Sequence, residues 1–149
     1  MRPNRDFSDL FSALNDAAVE YLLVGGYALA FHDAPRFTGD VDVWVNATGE
    51  NARRVLDALR AFGAPVSELS VEELGRPGLV VQIGVVPNRV DVLTSIDGVS
   101  FEEAWPRRVA GEYGGHRIHV ISKDDLIRNK LATGREQDAL DVQRLRRDR

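Results

Sequence analysis

Asp40 and Asp42 stand in the stretch Asp-Val-Asp-Val, and the alternation is that of a strand with one face carboxylate and the other apolar. Side chains of a strand alternate between faces with period two, so these two carboxylates share a face while Val41 and Val43 share the other. Two neighbouring carboxylates repel each other, and a divalent cation held between them removes that repulsion. Asp91, flanked by Val90 and Val92, is a second acid at a strand centre, where β propensity disfavours it. If its strand lies beside the first, Asp91 becomes a third oxygen donor. The chain has no cysteine, so thiolate catalysis, thiolate metal sites and disulfides are excluded. His32, His116 and His119 have no metal-ligand spacing with one another and read as satisfied or exposed side chains.

Upstream of the acids, the apolar run ending at Val24 meets the pair Gly25-Gly26, and Ala28 to Phe31 then suggest a short helix. Helix-terminal amides beside glycines form an anion site of the kind that holds phosphate. Arg36 and Thr38, in a loop before the acidic strand, sit where they could touch phosphate or base. Lys130 offers a compact charge suited to a phosphate, with Arg135, Asp138 and Asp141 at short spacing behind it.

The elements that must position these residues follow from periodicity. Phe7, Leu10, Phe11, Leu14 and Ala18 predict an amphipathic helix over 6–19. Strands are expected at 21–24, 40–45, 79–85 and 89–94, the last two as a hairpin turning at Pro87-Asn88. A helix should run from the 46–50 cap region to Phe62, stopped by Gly63. Residues 64–78 carry little signal beyond a short helix and a turn. A helical turn is predicted at 101–105, a hairpin turn at Gly114-Gly115, and a strand over 116–121. Ser122 with Asp125 approximates a capping box ahead of two closing helices divided at Gly134. The sum is an α/β chain with a mixed twisted β-sheet and helices packed on it, expected as one domain over 1–149.

Composition adds boundaries. The 149 residues are 44% hydrophobic with a net charge of -4, so there is no overall basic footprint for nucleic acid and no DNA groove binding is expected. No apolar run approaches a membrane span and the N-terminus lacks a signal-peptide core, which predicts a soluble, cytoplasmic protein.

Taken together, Val24-Gly25-Gly26, thirteen intervening residues, Asp40-Val41-Asp42-Val43 and later Arg89-Val90-Asp91-Val92-Leu93 resemble the nucleotidyltransferase superfamily with the DNA polymerase beta-like catalytic fold. The ending from Lys130 through Arg135, Asp138 and Asp141 resembles small bacterial AbiEii-type toxins and minimal nucleotidyltransferases. The resemblance implies a Mg²⁺-dependent enzyme that moves a nucleoside monophosphate from an NTP to a hydroxyl, on a tRNA end or a partner protein, and releases pyrophosphate. It implies Asp40, Asp42 and Asp91 as ligands of two Mg²⁺ ions, and Gly25, Gly26, Arg36, Thr38, Lys130 and Arg135 as nucleotide contacts. Asp138 would either orient Lys130 and Arg135 or assist the attacking hydroxyl, with Asp141 a rival at similar spacing. Toxin-antitoxin or phage-defence systems are the expected setting. The competing reading is a non-catalytic interaction or regulatory protein that keeps the fold.

Overall fold

The computed structural model describes residues 4–32, 40–85 and 88–147. Arg36 and Thr38 lie outside the described residues, as does Pro87 of the expected hairpin turn.

The first helix, α1 (Arg5–Asp16), starts where the Asn4 side chain accepts from the amides of Asp6 and Phe7, and it buries Phe7, Leu10, Phe11 and Leu14. It stops short of the expected residue 19, because Ala18 adopts a left-handed φ of 56° that a continuing helix cannot contain. Strand β1 (Tyr21–Val24) is buried along its whole length and runs straight into α2 (Gly25–Phe31). The two glycines thus lead directly into the helix, Gly25 with a left-handed φ of 69°.

Strand β2 (Asp40–Val45) follows, then α3 (Gly49–Phe62), capped by Thr48 and ended at Gly63. The poorly readable stretch holds one short helix, α4 (Val71–Leu74), fixed by a full capping box between Ser70 and Glu73. Strands β3 (Val80–Ile83) and β4 (Arg89–Leu93) form the hairpin. Next come α5 (Phe101–Ala104), a 3₁₀ turn at Trp105–Arg107, β5 (Val109–Tyr113) and β6 (His116–Val120). Helices α6 (Lys123–Thr133) and α7 (Glu136–Arg147) close the chain, with Gly134 left-handed between them.

The six strands form one sheet in the order β3-β4-β2-β1-β6-β5. It is mixed: β2 runs parallel to β4 and β1 parallel to β6, while the β1–β2, β3–β4 and β5–β6 pairs are antiparallel. Val41, Val43 and Val45 of β2 and Val90 and Val92 of β4 are buried, and α1 and α3 pack on each other and against strands of the sheet. The other face of β2 carries Asp40, Asp42 and Trp44. Trp44 is 1% exposed and meets Phe101 edge-on with ring centroids 5.0 Å apart, so it packs rather than presenting a stacking surface. Among the described residues no helix is long and apolar enough to cross a membrane.

Candidate active site

The register of three adjacent strands assembles the acids. In the parallel β2–β4 pair, Asp42 lies opposite Asp91 and Asp40 opposite Arg89; in the antiparallel β1–β2 pair, Val24 lies opposite Asp42. Because Asp40, Asp42 and Asp91 share a face, one carboxylate oxygen from each lies within 4.8 Å of the others. All donors are hard oxygens, a set suited to Mg²⁺ or a similar cation. Burial, and then the charges of Asp40 and Asp91, push the Asp42 carboxyl up to about 7. The half-buried Asp42 therefore disfavours its own ionised form, and a bound cation would reverse that.

The carboxylates open onto a cleft of about 620 Å³. Its walls are Val24 and Gly25 at the end of β1, the segment Ser95 to Asp97 beyond β4, and Asn129, Lys130, Thr133 and Arg135 from the closing helices. Gly25 has a φ of +69°, and a Cβ added there would stand 2.1 Å from Asp42 Oδ2. Only glycine combines that backbone with so close an approach to the acid. Gly25→Ala is expected to cost about 1–2 kcal/mol for the left-handed backbone, with a further loss from displacing Asp42. Urea denaturation reads the first, and metal titration of the folded protein reads the second. Gly26 is buried in α2 and does not line the cleft.

Lys130 is held on two sides. Its ammonium lies 3.1 Å from both Asp138 and Asp141, with side-chain exposures of 5%, 3% and 0% for the three groups. Asp138 also accepts from Thr133 Oγ1 at 2.5 Å and Arg135 Nε at 2.7 Å. Burial alone would raise the Asp138 carboxyl, but hydrogen bonds from Thr133, Arg135 and Lys130 outweigh it and hold the group below its ordinary range. Arg135 is 73% exposed and reaches the cleft, whereas Asp138 does not line it. Asp141 accepts from Gln137 Nε2 as well.

Arg89 went unnoticed as a site residue in the sequence. Its guanidinium grips Asp91 side-on, Nε to Oδ1 at 3.0 Å and a terminal nitrogen to Oδ2 at 2.9 Å, and it lines the cleft. The period-two rule that pairs Asp40 with Asp42 also puts Arg89 on the face of Asp91, so the signal was present. Asp97 is a further exposed carboxylate in the cleft, at a turn where Asn129 Nδ2 donates to its carbonyl at 3.0 Å. The histidines stand elsewhere: His32 Nε2 contacts the Ile121 carbonyl oxygen at 2.8 Å, and His119 lies between Tyr21 and Trp105.

The mixed sheet with its acidic trio defines a nucleotidyltransferase fold, and solved structures share it. TM1012 of Thermotoga maritima, assigned to the nucleotidyltransferases, superposes with a TM-score of 0.61 at 17% identity, covering 97% of this chain and 92% of that one. The antibiotic-resistance factor ANT(2'')-Ia gives 0.63 at 15% identity over 94% of this chain and 80% of its own. The lincosamide antibiotic adenylyltransferase LnuA gives 0.58 at 16% identity over 97% of each chain. No curated protein matches the sequence. The chain itself belongs to the family DUF6036, nucleotidyltransferases of unknown function, which it matches over residues 6–146.

Proposed function

We propose that this chain is an active Mg²⁺-dependent nucleotidyltransferase that passes a nucleoside monophosphate from an NTP to a hydroxyl of an acceptor. The observation that carries the reading is the trio of carboxylate oxygens, one each from Asp40, Asp42 and Asp91, gathered within 4.8 Å at the floor of a cleft. A non-catalytic protein gains nothing from three acids whose mutual repulsion works against the fold.

Asp40, Asp42 and Asp91 would hold the ions, which supply charge neutralisation at the phosphates and lower the pKa of the attacking hydroxyl. The acceptor oxygen bonds to the α-phosphorus as the bond to the leaving pyrophosphate breaks. Val24, the residue ahead of α2, has no side-chain acceptor, which leaves the amide of Gly25 at the cleft wall to the phosphates, while Gly26, buried behind it, is a proposed contact by the resemblance alone. Arg36 and Thr38, outside the described residues, are proposed contacts by the same resemblance. Arg135 would reach the triphosphate with the guanidinium nitrogens that Asp138 does not use. Asp138, surrounded by three donors, fits the orienting role better than that of a proton acceptor, and Asp141 shares the load on Lys130.

For the acceptor, a tRNA end or a partner protein in a toxin-antitoxin or phage-defence pair is our first reading, by kinship with AbiEii-type proteins. A small-molecule hydroxyl is the second. It is favoured by Asp97 in the cleft wall, by cleft cations that are already paired with acids, and by neighbours that modify antibiotics, one of them solved with adenylyl-2''-tobramycin.

Calorimetric titration of each of the four NTPs with Mg²⁺ tests the proposal, beside the double substitution Asp40→Asn, Asp42→Asn. Micromolar binding of at least one NTP, lost in the double variant, is the expected result. Absence of Mg²⁺-dependent binding for all four would end the enzymatic reading. A labelled-NTP screen against tRNA, co-purifying proteins and amino-sugar antibiotics then separates the acceptors.

A further inference from the structure

We propose that Arg89 is a positioning residue that occupies the third carboxylate until a nucleotide arrives, so that cation and triphosphate are taken up together. This rests on the reading of Asp40, Asp42 and Asp91 as metal ligands.

The geometry is that of an exchangeable clamp. Arg89 and Asp91 are two residues apart on β4 and so face the same way, and the guanidinium fork takes both Asp91 oxygens at 3.0 and 2.9 Å. Asp40 is the cross-strand partner of Arg89, so the cation sits among all three acids. A divalent cation approaching the trio meets a positive charge already in place and a carboxylate already engaged at both oxygens.

Two other ion clusters among the described residues show what a permanent pair looks like here. Asp125, 0% exposed, is clamped side-on by Arg107 and touched by Arg128. Lys130, Asp138 and Asp141 are 5%, 3% and 0% exposed. Opening either cluster strands a buried charge, which is strongly unfavourable. The difference at Arg89 lies on the acid: Arg89 is 34% exposed, less than Arg107 at 44% and Arg128 at 57%, but Asp91 keeps 12% exposure where Asp125 has none, and it opens on the cleft, where an arriving cation can take the carboxylate over from the guanidinium. A planar guanidinium fits phosphate in the same forked manner as carboxylate, and the cleft that Arg89 lines is the proposed seat of the triphosphate. Arriving with the cation, the phosphates offer Arg89 a second partner and release Asp91 for the metal. Binding of cation and nucleotide is then coupled through one side chain.

The test uses the whole chain, MnCl₂ as probe and an ATP analogue with a methylene between the α- and β-phosphorus, followed by calorimetry and the Mn²⁺ electron spin resonance signal. Arg89→Gln is expected to bind Mn²⁺ alone about tenfold tighter than the parent, because a competing charge has gone. The tightening of Mn²⁺ by the analogue should shrink by about the same factor. Arg89→Lys, which keeps the charge and loses the fork, should bind Mn²⁺ alone as weakly as the parent yet show reduced coupling. If Arg89 merely props Asp91 in place, Arg89→Gln will bind Mn²⁺ more weakly or unchanged, and that result overturns the proposal. Should the parent bind no Mn²⁺ with or without the analogue, the metal site itself falls and the proposal with it. Circular dichroism of each variant ensures that the comparison is between folded proteins.

Discussion

Asp42→Asn is expected to make the metal-free protein more stable at pH 8 while removing its Mg²⁺-dependent nucleotide binding. Burial first, then the charges of Asp40 and Asp91, push the Asp42 carboxyl from 3.8 to about 7. Below about pH 4 the group is neutral in the folded and unfolded chain alike, and the fold carries no charge penalty. As pH rises from about 4 to about 7 the unfolded chain gives up a proton that the folded protein still holds, and stability is lost across that window and levels off above it. At pH 8 the full penalty is present, and asparagine removes it while keeping the side-chain volume. The gain is on the order of 1–3 kcal/mol, since each unit of displacement is worth about 1.4 kcal/mol and partial exposure screens part of it. For a chain of this size that is a rise of several degrees, at roughly 2–4 °C per kcal/mol.

Cation binding runs with the opposite sign. Mg²⁺ prefers the ionised carboxylate, so its affinity for the parent protein should climb as pH passes through about 7 and then level off. In Asp42→Asn the affinity should fall by on the order of 100-fold or more, because even partners outside the ligand set of a metal site cost about 10–100-fold. Thermal melts at pH 5 and pH 8, with and without Mg²⁺, measure both arms. A variant that loses stability at pH 8 without metal would mean the protein itself satisfies the Asp42 charge, and the argument for a cation would weaken accordingly.

How far the sequence discloses this site depends on the range over which each interaction acts. The acidic strand, its glycine lead-in and the helix stop at Gly63 are local patterns, and β2 and the end of α3 lie where periodicity puts them. Joining Asp91 to Asp42 required knowing that β4 lies parallel and adjacent to β2, a pairing across two intervening helices and strand β3. The sequence could state that only conditionally. Helix α4 was legible only as a short helix somewhere in 64–78, because four residues give no periodicity; its capping pair Ser70 and Glu73 fixes the place. Asp138 and Asp141 lie on a separate helix from Lys130, and their convergence depends on the angle between α6 and α7. No spacing rule supplies that angle. The clamp of Arg89 on Asp91 is within reach of strand parity, since residues two apart on one strand share a face.

Lys130→Met carries the other large expected effect, and its sign separates two jobs for the same side chain. Lys130, Asp138 and Asp141 bury one positive and two negative charges together, with Arg135 and Thr133 completing the shell of Asp138. Removing the ammonium strands two carboxylates in the interior, at a cost of about 3–5 kcal/mol. The melting temperature should then fall by roughly 10 °C, taking about 2–4 °C per kcal/mol. Substituting Asp138→Asn and Asp141→Asn in the same chain should recover much of that loss, since a buried ionic cluster replaced as a unit is often close to neutral. A lysine whose whole task is to touch phosphate behaves otherwise: Lys130→Met would leave the melting temperature alone and weaken only nucleotide binding. Arg135→Met supplies the internal contrast. Its side chain is 73% exposed, so the loss of the Asp138 pair should cost under about 1 kcal/mol. If it is the arm that Asp138 aims at the triphosphate, Arg135→Met should nonetheless weaken NTP binding by about tenfold, on the scale of one charge-assisted hydrogen bond. Large destabilisation at Lys130 and a binding loss at Arg135 would assign the lysine to the foundation of the cleft and the arginine to its ligand.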